Sequence, residues 1–140
     1  MSHTYALDTN TISYFIQGKE QVATRLREAL AGRSAIIIPP VTYYEIRRGF
    51  KHKAAHAKER VFSRMCAMYS IGEMSISVWE CAADIYAESR RSGKTIEDAD
   101  ILIAAFCIVN GYILVTSNTK HFEEIKGLQL VNWVEEDNKK

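Results

Sequence analysis

An α/β fold, with a mostly parallel sheet buried between two layers of helices, is predicted by three features of the sequence. Short, unbroken apolar runs recur at residues 5–7, 35–38 and 112–115. Between them lie segments whose apolar residues fall at helical spacing. Strands of continuous apolar character belong to sheets covered on both faces, and their alternation with helices is the pattern of parallel βα units. The chain has 140 residues, 47% of them apolar. That predicts one domain over residues 1–134 and a polar tail at 135–140, since two domains of half the length would each be marginal.

Each element follows from local chemistry. Residues 5–7 form a buried strand that ends on Asp8. Residues 9–17 read as a first helix closed by Gly18. In the segment 20–31, Val22, Ala23, Leu26, Ala29 and Leu30 fall on a helical stripe, and Gly32 ends it. Residues 35–38 are β-branched and apolar, a second strand halted by Pro39 and Pro40. Helices are predicted at 41–50 and 54–69, a short third strand within 71–76, and a helix at 77–91. Ser92, Gly93 and Lys94 break the chain. Thr95 through Asp98 has the form of a capping box, a hydroxyl with an acid three residues later. The run 100–110 is apolar nearly all round, which marks a helix buried on most faces. Gly111 suits a left-handed cap. A strand at 112–115, a short helix at 120–125 and an edge strand at 128–133 complete the expectation.

Several functional classes are excluded. The longest apolar run, 101–109, has nine residues, and a bilayer span needs about 20. No membrane association is expected, and an acid at Asp8 rules out a secretory signal. Cys66, Cys81 and Cys107 are odd in number and lack a C-x-x-C spacing. They read as buried free thiols of a cytoplasmic protein. Neither glycine-rich phosphate loop is present, and no G-x-S-x-G elbow exists. His52 and His56, four residues apart, would share a helix face, as part of a basic surface in preference to a zinc pair. His3 and His121 have no partner visible in the sequence. Tyr43, Tyr44 and Tyr69 could stack on bases or pack at the rim of the core.

Charge is segregated along the chain. The net charge is +1. Yet between positions 47 and 64 seven basic residues (Arg47, Arg48, Lys51, Lys53, Lys58, Arg60, Arg64) face one acid, Glu59. Such a window is either a phosphate-attracting surface or a solvated helix face.

In parallel sheets, ligands bind beyond the carboxyl ends of the strands. Asp8 follows the first strand, Glu45 lies one turn into the helix after the second, and Asp98 and Asp100 open the buried helix. Asn118 follows the strand 112–115 after Thr116 and Ser117. Each acid has an ordinary alternative: Asp8 as a helix N-cap, Glu45 as a surface partner of Arg48, Asp98 as a cap, Asp100 as a charge at a helix N-terminus. Together at one edge they would repel one another and raise each other's pKa unless a cation were present. Hard oxygen donors of this kind suit Mg²⁺ or Mn²⁺.

Four motifs occur in order: Leu-Asp-Thr-Asn-Thr at 7–11, Val-Thr-Tyr-Tyr-Glu-Ile at 41–46, Asp-Ile-Leu-Ile-Ala-Ala at 100–105, and Leu-Val-Thr-Ser-Asn-Thr-Lys-His-Phe at 114–122. On them the chain resembles the PIN-domain family and, within it, the VapC toxins of bacterial toxin–antitoxin pairs. The resemblance implies a three-layer α/β/α architecture with a five-stranded sheet of order 3-2-1-4-5. It implies a Mg²⁺-dependent (or Mn²⁺-dependent) endoribonuclease that cuts structured RNA, tRNA or an rRNA loop, by metal-activated water. A VapB-like antitoxin is the implied partner and a homodimer the implied assembly. The family's acids fall on Asp8, Glu45 and Asp100, with Asn118 where an Asp often stands; an amide is a neutral, weaker ligand. The implied roles are metal binding by Asp8 and Asp100, proton acceptance by Glu45, and orientation by Asn10 and Thr116. Arg47, Arg48 and Lys51 are expected to hold RNA or the antitoxin. Two other readings share these features: an RNA-binding module with weak turnover, which Asn118 favours, and a metal-dependent phosphatase of similar architecture, which would not need the basic window.

Overall fold

The computed structural model describes residues 3–134. In chain order the elements are β1 (Thr4–Leu7), α1 (Thr9–Ile16), α2 (Glu20–Ala31), β2 (Ala35–Ile38), α3 (Pro40–His52), α4 (His56–Met68), β3 (Ser70–Ile71), α5 (Ile76–Arg91), α6 (Asp98–Asn110), β4 (Ile113–Val115), α7 (Thr119–Phe122) and β5 (Gln129–Val131). The five strands form one sheet of order β3-β2-β1-β4-β5, with every neighbouring pair parallel. The polar tail expected at 135–140 lies outside the described residues.

The sheet divides two cores, and the alternation of side chains along each strand assigns residues to them. Ala6 and Leu114 point to one side, where Val78, Ala82, Ile101, Ala105, Phe106 and Phe122 of α5, α6 and α7 meet them. Leu7 and Val115 point to the other, against Ile12, Val22, Leu26, Ile46, Phe62 and Met65 of α1 to α4. Ile37 joins the first core while Ile36 and Ile38 join the second. β1, at the centre, is covered on both faces. α6 buries six of its thirteen residues, which explains its apolar surface nearly all round.

Four expectations are corrected. The third strand is only Ser70–Ile71, not a segment within 71–76, because the Ser75 hydroxyl accepts the Val78 N–H and starts α5 at Ile76. The capping box does not form: Glu97 occupies the N-cap of α6 without a side-chain bond. Asp98 stands exposed in the first turn instead, and with Asp100 puts negative charge at the positive end of the helix. His52 ends α3 and His56 begins α4, so the two do not share one helix face. The three cysteines are free, but only Cys107 is fully buried; Cys66 and Cys81 are half-buried. Gly111 does adopt the left-handed cap, with φ 73°.

Gly72 marks a close approach. Its N–H donates to Ile38 O at 2.9 Å, continuing the β2–β3 pairing. A Cβ on it would stand 2.6 Å from Cε1 of Phe106 and nearer still to Cζ. That ring is buried and packs on Tyr112, centroids 5.5 Å apart. Gly72→Ala should therefore cost about 1–3 kcal/mol by overpacking. Gly49→Ala, inside α3 with open space around its Cβ, should gain roughly 0.5–1 kcal/mol. Urea midpoints of the two variants check this; equal midpoints would mean that Phe106 yields freely.

Candidate functional site

β1 delivers Asp8 to the carboxyl edge of the sheet. Its N–H donates to Val115 O at 2.9 Å, extending the β1–β4 pairing by one step, and its own carbonyl accepts the first bond of α1 from Ile12 N–H at 3.1 Å. The side chain is 4% exposed. Asp8 Oδ1 accepts the Thr9 N–H at 2.7 Å, so the ordinary reading as an N-cap holds. Its other oxygen looks elsewhere. Oδ2 accepts from the Thr116 hydroxyl at 2.8 Å and from the Asn10 amide at 3.1 Å.

A polar web fixes these groups. Asn10 Oδ1 accepts the Ser117 N–H at 2.9 Å, and its Nδ2 also reaches Thr116 Oγ1 at 3.3 Å. Thr116 is wholly buried at the end of β4, and its Oγ1 accepts the Asn118 N–H at 3.0 Å. Asn10 and Thr116, both expected near the site, thus each bond to the Asp8 carboxylate.

Glu45 reaches the same edge from α3 through a residue that the sequence reading passed over. Thr9 Oγ1 donates to Glu45 Oε1 at 2.6 Å. Arg48 stands 3.9 Å from Glu45 Oε2, so the ordinary pairing is present as well. Asp100, in the first turn of α6, is half-buried, and its Oδ2 lies 3.3 Å from His121 Nδ1 of α7. His121 is a second residue that sequence reasoning missed. The run Asn-Thr-Lys-His at 118–121 was its only signal.

The electrostatics couple the acids. Burial raises the pKa of Asp8 above the ordinary carboxylate value, and the charge of Glu45 adds to it; the Thr116, Thr9 and Asn10 bonds oppose the shift. Burial also raises Asp100, the charge of Asp8 raises it further, and His121 opposes. Both carboxyls are held where ionisation is disfavoured.

Not every predicted residue joins the site. Asn118 is exposed, and only its backbone enters the web. Arg47 is turned inward: it lies over the Tyr43 and Phe62 rings and contacts Tyr43 OH, Glu59 and Ser63. It clamps α3 to α4, with its side chain 23% exposed. Arg48 is exposed beside Tyr44, and Lys51 is exposed. Tyr43 and Tyr69 are half-buried, so of the three tyrosines only Tyr44 stands exposed.

Among the described residues, no three His, Cys, Asp or Glu side chains are assembled to hold a metal ion as they stand. The donors nevertheless fit Mg²⁺ or Mn²⁺ in kind. Mg²⁺ is commonly held by one or two carboxylates, with water and substrate phosphate completing its shell. A carboxylate offers about four acceptor positions. The bonds to Asp8 leave Oδ1 room for one more partner.

Comparison with known proteins places this geometry. A model of the PIN domain matches residues 5–128. The chain is similar to Ribonuclease VapC1 of Methanocaldococcus jannaschii, 32% identical over 73% of this chain and 71% of the relative. It is 27% identical to the tRNA(fMet)-specific endonuclease VapC of Shigella flexneri, over 92% of this chain and 97% of that protein. A crystal structure of VapBC2 from Rickettsia felis, bound to a DNA fragment from its promoter, contains a chain that superposes with a TM-score of 0.85 at 27% identity. The match covers 93% of this chain and 98% of that one.

The raised acids predict how metal-free protein responds to pH. Well below the ordinary carboxylate range, Asp8 and Asp100 are neutral in both states and contribute nothing. As pH rises, the unfolded chain releases its protons first. Stability falls until the pH passes the raised folded-state pKa values, then levels. Asp100→Asn removes its share of that fall. In EDTA its melting temperature should exceed that of the wild type above the window and match it below, each 1 kcal/mol appearing as roughly 2–4 °C. Mg²⁺ should raise the wild-type value and leave the variant nearer its EDTA value. Parallel pH curves for the two proteins would show that Asp100 carries no such strain.

Proposed function

The chain belongs to the PIN-domain family, and from that premise we propose that it is a divalent-metal-dependent endoribonuclease, the VapC-type toxin of a toxin–antitoxin pair. The observation that carries this reading is Asp8, a buried carboxyl whose second oxygen is aimed by Thr116 and Asn10, whose ionisation burial and Glu45 oppose, and whose own charge raises the pKa of Asp100. An arrangement that disfavours its own charge is useful where a cation is to be bound.

Asp8 and Asp100 would hold the metal. When bound, Mg²⁺ or Mn²⁺ supplies positive charge against the phosphate and acidity toward water. Thr9 fixes Glu45 Oε1, which leaves Oε2 to accept the proton of the attacking water. Hydrolysis in this sense leaves a 5′-phosphate and a 3′-hydroxyl. His121 holds the Asp100 carboxyl from the far side. Thr116 and Asn10 keep Asp8 from rotating, so the two acids meet substrate in a fixed relation.

The names of the relatives support the finer terms. A tRNA substrate is proposed on the Shigella flexneri relative, and a VapB-like antitoxin partner on the Rickettsia felis complex. A homodimer is supported by α5, where Ile76 (75% exposed), Trp79 (49%) and Tyr86 follow one helical stripe without cover. A second reading, an RNA-binding module with weak turnover, is favoured by Asn118, whose side chain bonds no acid among the described residues.

Incubation of the purified chain with labelled total tRNA in Mg²⁺, Mn²⁺ or EDTA tests the proposal. Cleavage is expected with either metal and none in EDTA. Asp100→Asn should lower kcat by about a hundredfold or more, and Glu45→Gln should lower kcat with little change in KM. Binding without cleavage in any metal would favour the second reading.

A further inference from the structure

A cleft of about 270 Å³ runs between α1 and the junction of α3 and α4. One end is Thr9 and Glu45, the hydrogen-bonded pair of the site just described. Its floor is apolar, formed by Ile16, Ile46 and Phe50. The rim at the other end carries Lys53 and Lys58. Lys53 caps α3 with its N–H bonded to Gly49 O at 2.9 Å, and Lys58 stands in the first turn of α4. Both lysines are exposed, and among the described residues neither pairs with an acid.

Size, lining and charge narrow the occupant. Small-molecule clefts generally measure roughly 300–1,000 Å³. This one suits a single flat ring and is too small for a large cofactor or a duplex. An apolar floor with an aromatic wall accepts the face of any base, and unpaired lysines accept phosphate as point charges. The acidic edge attracts cations, and the lysines attract the anionic polymer that must lie across that edge. Of the rest of the basic window, Arg47 packs on aromatic rings, Arg48 faces Glu45 and Tyr44, and Lys51, Arg60 and Arg64 do not line the cleft.

We infer that this cleft is a nucleotide subsite. It takes an unstacked base of single-stranded or looped RNA next to the scissile phosphate, and Lys53 and Lys58 hold the flanking backbone. The inference rests on the nuclease reading above, and it moves the RNA contact from Arg47, Arg48 and Lys51 to two other lysines.

The test is fluorescence anisotropy with a short fluorescein-labelled single-stranded RNA, across a salt series. The full chain carries Asp100→Asn throughout so that RNA is not cut. Lys53→Gln with Lys58→Gln should weaken binding roughly tenfold at low salt. It should also reduce the slope of log affinity against log salt by about 1.4, near 0.7 for each phosphate contact on a single strand. Arg60→Gln with Arg64→Gln, on the same helix but away from the cleft, should change neither. Ser13→Trp, which fills the cleft, should weaken binding and leave the salt slope unchanged. If the lysine pair binds as the parent does, the subsite is wrong, whatever the pair does to the grip of a protein partner. If Ser13→Trp binds as the parent does, no base enters. A wild-type chain that fails to cut RNA while the lysine pair still loses binding would sink the nuclease reading alone.

Discussion

A carboxylate buried at the end of the central strand is the constraint around which the rest is arranged. Asp8 is 4% exposed, and burying a charge without compensation is costly. The compensation comes from two segments, the start of α1 and the end of β4. Thr9 supplies a backbone N–H, Asn10 a side-chain amide, and Thr116 a hydroxyl from the neighbouring strand. The Thr116 bond requires a particular register between β1 and β4. Leu7 opposite Val115 puts Asp8 and Thr116 one step beyond the pair, on the same edge. A slip of one residue would send Asp8 to the other side of the sheet and leave Thr116 without its acceptor. The same polar contacts that hold the site therefore fix the pairing at the centre of the fold.

Around that centre, the helices position charge in two opposite ways. α6 brings Asp100 to the edge because its apolar body is sunk in the core, which leaves its first turn no freedom to move. α3 brings Glu45 on a more exposed helix, and the fixing comes from Thr9 below it and from the Arg47 clamp to α4 behind it. Arg47 is conspicuous by its charge, yet its surroundings make it a packing residue. Its guanidinium covers aromatic faces, as arginine does more readily than lysine.

Much of this was legible along the chain. Apolar runs and glycine stops placed the strands and helices, because a buried parallel sheet leaves no polar alternation to read. The acids at strand ends were legible for the same reason: Asp8 and Asp100 interrupt apolar runs. What stayed hidden depends on contacts between distant segments. His121 meets Asp100 only because α7 folds back over α6. Thr9 looked like one more small polar residue near a cap, and its link to Glu45 crosses from α1 to α3. Counting charges from 47 to 64 found a basic window but could not separate Arg47, packed on rings, from Lys53 and Lys58, which stand free. β3 is short because the Ser75 hydroxyl caps α5 and starts it at Ile76, a stop that strand propensity does not encode.

The placement of the two tryptophans has an optical consequence. Trp133 is buried against Tyr5 in the second core, while Trp79 stands half-exposed on the stripe of α5. The chain has no other tryptophan, so its near-ultraviolet emission is the sum of a blue-shifted, shielded fluorophore and a red-shifted, accessible one. An aqueous quencher such as iodide reaches the second and not the first. Loss of tertiary structure shifts the blue component, and anything that settles on α5 dims or protects the red one. The protein thus carries its own pair of spectroscopic reporters, one for folding and one for whatever touches α5, with no label added.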